Sequence, residues 1–164
     1  LDSTSTMQIM KIADAPAASA TVAGLIEIAT DAETLTGTDA TRAVSPAGLT
    51  SVYSTIRSIP QNSKSAAYTL VLADAGKHLY HPGADTSART WTIPANASVA
   101  YPIGTAITFV NDTSGGVITI AITSDVLVLS PDGTTGSRSL AANGIATCIK
   151  MTATRWMISG SGLT

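Results

Sequence analysis

The sequence predicts a mainly β protein: a small α+β segment followed by an antiparallel β-sandwich or barrel. Three observations carry this. From residue 66 to residue 160, short apolar runs alternate with clusters of Gly, Asn, Asp and Ser at close intervals, the pattern of a compact all-β domain. Upstream, helix-start signals stand at Thr30 and at Ser45-Pro46, and helical spacing replaces alternation. The polar stretch Pro60-Gln61-Asn62-Ser63-Lys64-Ser65 separates the two periodicities. The 164 residues therefore divide into a stalk or linker at 1–20, the mixed segment at 21–60 and the β domain at 61–164.

The first segment begins polar, passes through Ile9, Met10 and Ile12, and ends in a run of Ala around Pro16. Met7, Met10 and Asp14 fit one helical face, but a proline bounds the stretch, which reads as a stalk. The opening Leu1-Asp2 has neither an initiator methionine nor signal-peptide architecture, so the sequence is expected to be a piece of a longer chain with more protein upstream.

Residues 22–28 are rich in branched apolar side chains and suit a short strand buried on both faces. Thr30 stands three residues before Glu33, the capping-box spacing, in which a hydroxyl and a carboxylate satisfy free N–H groups at a helix start. Gly37 is the matching stop, so residues 31–36 are expected to be helical and 40–44 to return extended. Ser45-Pro46 then opens a second helix, with a hydroxyl cap and a proline where its missing N–H costs nothing. Behind it Leu49, Val52, Ile56 and Ile59 step by three, four and three, a short heptad seam. A helix this brief falls below the roughly 12 to 15 residues at which isolated helices become marginal, so the seam must pack on something. Its own domain and a second copy of the chain are the two choices.

In the β domain, residues 68–72 alternate as a first strand, Asp74-Ala75-Gly76-Lys77 forms a tight turn, and 78–80 follows. Further strands are expected at 90–93, 106–110, 117–122, 126–129, 139–142, 145–151 and 155–159. Asn143-Gly144 is the dipeptide best suited to a two-residue hairpin. Val117 and Ala121 oppose Ile118, Ile120 and Ile122, so that strand is apolar on both faces and asks for a second partner.

Only 12% of residues are charged and mean hydropathy is +0.29, yet no run approaches the roughly 18 apolar residues of a membrane span. The expectation is burial against copies of itself, without membrane insertion. A net charge of −2 and a pI near 5.5 offer no basic field for nucleic acid. Cys148 is the single cysteine, in an apolar alternating run, and reads as a buried inert thiol.

Residues 21–49 match a particular pattern, VAGxxxLATxxExxxGTDxxRAVxPxxL, through Val22, Ala23, Gly24, Ala29, Thr30, Glu33, Gly37, Thr38, Asp39, Arg42, Ala43, Val44, Pro46 and Leu49, with Ile28 where leucine is usual. This closely resembles a repeat of the distal fibres of tailed bacteriophages and phage-like particles. A looser likeness to fibre-tip β-domains covers 66–160 and includes the Asp74-Ala75-Gly76-Lys77 element. The resemblance implies a virion protein at the distal, receptor-binding end of a tail fibre. It implies a homotrimer joined to an upstream shaft, with Leu49, Val52, Ile56 and Ile59 along the threefold axis. It also implies attachment to a host bacterial surface through polysaccharide or an outer-membrane protein.

Catalytic constellations are sparse. No glutamate occurs after Glu33, and Asp74, Asp85, Asp112, Asp125 and Asp132 all sit in turn contexts that explain an aspartate without acid–base work. No G-x-S-x-G elbow appears. The chain is therefore expected not to be an enzyme and to need no cofactor, the alternatives being a polysaccharide-degrading tip and a non-binding joint that presents another adhesin. His78 and His81 would point to opposite faces of a strand, which spoils a chelate within one chain, and no metal is expected. For sugar, flat aromatic faces and polar loops are the useful chemistry. Tyr80, His81, Trp91 and Tyr101, with Asp85 and Arg89 close by, form the candidate ligand-binding set, and Asn96 is also close in sequence. Trp91→Ala is expected to weaken attachment without lowering the melting temperature.

Overall fold

The computed structural model of the chain describes residues 16–21 and 24–164, which fall into two compact units, Leu1–Ser58 and Ile59–Thr164. The expected helical face at Met7, Met10 and Asp14, and residues Val22 and Ala23 of the repeat, lie outside the described residues.

In the first unit, helix α1 is Asp31–Thr36. The Thr30 hydroxyl accepts from the Glu33 N–H, while the Glu33 carboxylate accepts from the Thr30 N–H at 2.9 Å, so the capping box forms as expected. Gly37 ends the helix at φ +65°, a left-handed conformation that a Cβ would strain. The Arg42 guanidinium reaches the carboxylates of Glu33, Glu27 and Asp39, and Asp39 in turn accepts from the Thr41 N–H at 2.7 Å. Ala29 and Ala43 tie the two flanks of α1 together by backbone bonds. Helix α2 is Pro46–Ile56, capped by the Ser45 hydroxyl.

Two expectations for this unit need correction. Leu25 and Ile28 make only isolated bridges, to Ala17 and Ala43, rather than a strand, and both side chains are exposed, as is Ile26. Ile59 lies beyond the end of α2, so the seam on the helix consists of Leu49, Val52 and Ile56. Leu49 is 55% and Ile56 66% exposed.

The second unit is a curled, open sheet of nine strands. These are β1 Gln61–Ser63, β2 Tyr68–Thr69, β3 His78–His81, β4 Arg89–Ile93, β5 Ala106–Asn111, β6 Ile118–Ile122, β7 Val126–Leu129, β8 Arg138–Thr152 and β9 Arg155–Leu163. The sheet is mixed rather than antiparallel. β1, β3 and β5 stack in parallel as one arm, and β2, β4 and β6 stack in parallel as another. Successive strands from β1 to β6 thus alternate between arms, and the segments that join them are crossings. The physical consequence is that like residues stack in register: Leu79 on Phe109 in one arm, Trp91 on Ile120 and Ile93 on Ile122 in the other.

The long strand β8 joins the arms. Its first part pairs antiparallel with β6 and its later part with β5, so it runs straight through the Asn143-Gly144 site. There Asn143 takes φ +60° and the register with β9 shifts between Leu140 and Ile145, in place of the expected hairpin. The real two-residue hairpin is at Ala153-Thr154, where Thr152 faces Arg155 and β9 folds back on β8, with β7 parallel beyond it. The expected first strand is also shorter: β2 ends at Thr69, and Leu72–Asp74 is a 3-10 turn.

The inward faces of both arms meet in one core that includes Leu79, Phe109, Trp91, Ile120, Trp156 and Ile158. Trp91 and Phe109 lie 6.3 Å apart between ring centroids, bridging the arms. Cys148 faces the same core, and burial pushes its thiol up to about 12.

Candidate functional site

Alternation along β3, β5 and β8 places Leu79 and His81, Ile107, Phe109 and Asn111, and Ala146, Cys148 and Lys150 on the inner face. Polar side chains therefore close the apolar interior at both ends of β5. At the Asn111 end, the loop from β3 to β4 carries Asp85, and Arg89 starts β4. His81 Nδ1 lies 2.9 Å from Asn111 Oδ1, and His81 Nε2 lies 3.1 Å from Asp85 Oδ2. Arg89 donates to both oxygens of Asp85, at 2.8 Å from Nε and 3.1 Å from Nη2, and the Ser87 N–H adds a further bond to Oδ1. Arg89 first, and then His81, hold the Asp85 carboxyl well below the usual carboxylate range.

Asn111 fixes its own orientation, since its Nδ2 donates to the carbonyls of Gly116 and Leu140 and its Oδ1 is left to face the histidine. Gly115 is required beside it, because a Cβ there would stand 2.3 Å from Asn111 Oδ1. Next to this group the Tyr80 hydroxyl donates to Asp112, which raises the phenol and lowers the carboxyl.

Chemically, this cluster is saturated. Both nitrogens of His81 and both oxygens of Asp85 are engaged by protein partners, and the imidazole and the Trp91 ring meet nearly at right angles with centroids 5.9 Å apart. A histidine serving as base needs one nitrogen turned to a substrate. Among the described residues, no group of three His, Cys, Asp or Glu is placed to hold a metal ion.

The candidate ligand set divides on burial. His81 and Trp91 are 0% exposed and Tyr101 lies in the core with its hydroxyl on the Val71 carbonyl, so none of the three rings offers a face to a sugar. Tyr80, Asp85 and Arg89 keep some surface. The structure brings His81, Asp85, Arg89 and Trp91 together and places Tyr101 elsewhere, against Trp156 at 5.5 Å.

At the other end of β5 stands a residue that sequence reasoning missed, Lys150, and it meets Asn96, which that reasoning places beside the sugar-binding candidates. Lys150, 1% exposed, extends from β8 so that its Nζ donates to Asn96 Oδ1 at 2.6 Å, and the Asn96 N–H donates to Asp125 Oδ2 at 3.0 Å. The signal was available: residues 146, 148 and 150 share a face, and two of them are Ala and Cys.

No protein-family model, curated protein or solved structure matches the chain.

Proposed function

We propose that this chain is a structural and adhesive component of a phage or phage-like tail fibre, a homotrimer that follows an upstream shaft and attaches the particle to a bacterial surface. The resemblance of residues 21–49 to the fibre repeat carries the reading. Its support lies in what those residues do: Thr30, Glu33, Gly37, Asp39 and Arg42 act as caps, stops and ion pairs of a small scaffold. That is the work of a repeating joint, not of a reaction centre.

The uncovered apolar side chains Leu49, Tyr53 and Ile56 on α2 agree with packing against further copies, as does the exposure of Val117, Ile145 and Ile149 in the second unit. Repeated weak contacts from several copies would combine into firm attachment, with surface polysaccharide the expected ligand and an outer-membrane protein the other. Of the candidate residues, Tyr80, Asp85 and Arg89 are the ones with surface to give it.

Light scattering of the purified chain tests the assembly. A species of three times the 16.6 kDa chain is expected, and it should retain host cells in a pull-down. A trimer that binds no host would remove the adhesive role and leave a fibre joint. A stable monomer would remove the fibre reading of the α2 seam.

A further inference from the structure

We propose that Lys150 and Asn96 are joined by an intramolecular isopeptide bond, formed without a second protein. This inference is independent of the fibre reading. It starts from an oddity: a lysine on the inward face of β8, 1% exposed, with the Trp156 ring 5.5 Å from its Nζ. Among the described residues no carboxylate lies within ion-pair distance of it, and its acceptor is the neutral side-chain amide of Asn96 at 2.6 Å. Burying an ammonium against a neutral partner is costly, because one amide oxygen does not replace lost hydration. Turning that nitrogen into an amide removes the charge and the cost together.

The geometry is also that of a reaction. An amine nitrogen in hydrogen-bond contact with a carboxamide oxygen is already within a short approach of the carbonyl carbon. Lys150 itself is sequestered from water, while Asn96 keeps part of its surface. Nζ bonds to Asn96 Cγ as the Cγ–Nδ2 bond breaks, and the two protons that the Lys150 ammonium gives up leave with the side-chain nitrogen as ammonium, which carries the charge away, so no oxidant or other reactant is needed. Asp125, itself buried, accepts from the backbone N–H of Asn96 and so holds in place the segment that presents the carboxamide to Nζ. The product would tie the segment after β4 to the strand that joins both arms.

Mass spectrometry of the denatured full chain decides the matter. The expected mass is one ammonia below that of the sequence, and proteolysis should yield a branched peptide linking the segments that contain Asn96 and Lys150. Lys150→Arg and Asn96→Ala should each return the mass to that calculated for the substituted sequence, a readout that survives even if those variants fold poorly. Asp125→Ala should slow or abolish the link; linkage at the wild-type rate would remove Asp125 from the positioning of Asn96 and leave the bond standing. An unmodified mass with separate peptides overturns the proposal. So does an ammonia loss confined to a linear peptide containing Asn96, or to one containing Asn143-Gly144, since either would be succinimide formation.

Discussion

At the end of β5 marked by Asn111, a guanidinium meets a carboxylate and every polar atom of His81 and Asp85 has a partner. At its other end, Lys150 meets the carboxamide of Asn96 and the face of the Trp156 ring, and among the described residues no carboxylate pairs with it. Both groups plug the same apolar interior, each through one buried side chain, His81 or Lys150, while Asp85, Arg89 and Asn96 keep some surface. The difference teaches how to separate a finished polar cluster from a reactive one. Complementary charge in a closed network favours staying as it is, whereas a lone amine against an amide gains by changing its covalent state.

The comparison breaks most severely if the wall between the ends is removed. Trp91 packs on His81 on one side and on Phe109 on the other. Contrary to the expectation from sequence that the melting temperature would hold, Trp91→Ala should cost about 3–5 kcal/mol in urea unfolding, because a fully buried indole is replaced by a cavity. A melting temperature within a degree of the parent would show that the core is not closed there.

A smaller effect is expected when the saturated cluster is cut. His81→Leu leaves Asn111 Oδ1 buried without its partner, a loss of about 1–3 kcal/mol measured the same way. If the loss proves negligible, the network is ornament rather than closure.

The subtlest test is titration. Asp85 has its folded value depressed below 3.8, so its contribution to stability is present above that pH and is lost as pH falls through the lower folded value. Melts of the parent and of Asp85→Asn should therefore differ most near neutral pH and converge as the solution is acidified below 3.8. A gap that stays constant with pH would assign the effect to shape rather than charge.

Local chemistry was legible and pairing was not. Thr30, Glu33 and Gly37, and then Ser45 and Pro46, specify α1 and the start of α2 through bonds spanning three or four residues, and such short-range signals survive any tertiary context. Parallel stacking of β3 on β5 and of β4 on β6 depends on partners roughly thirty residues away and leaves no trace in turn composition. Asn143-Gly144 shows the limit well. Its preference for positive φ is honoured at Asn143, yet the strand continues because β5, β6 and β9 hold both halves of β8. For the site, aromatic residues near turns suggested exposure, but Trp91 falls on the inner step of β4. The same two-residue period that buries it also buries Lys150.

The placement of β8 also bears on how the chain is made. Both arms are encoded before residue 123, and the strand that bridges them begins only at Arg138. During synthesis from the amino end, two half-built stacks emerge from the ribosome with their inner sides uncovered, and neither can close until Arg138–Thr152 has followed them out.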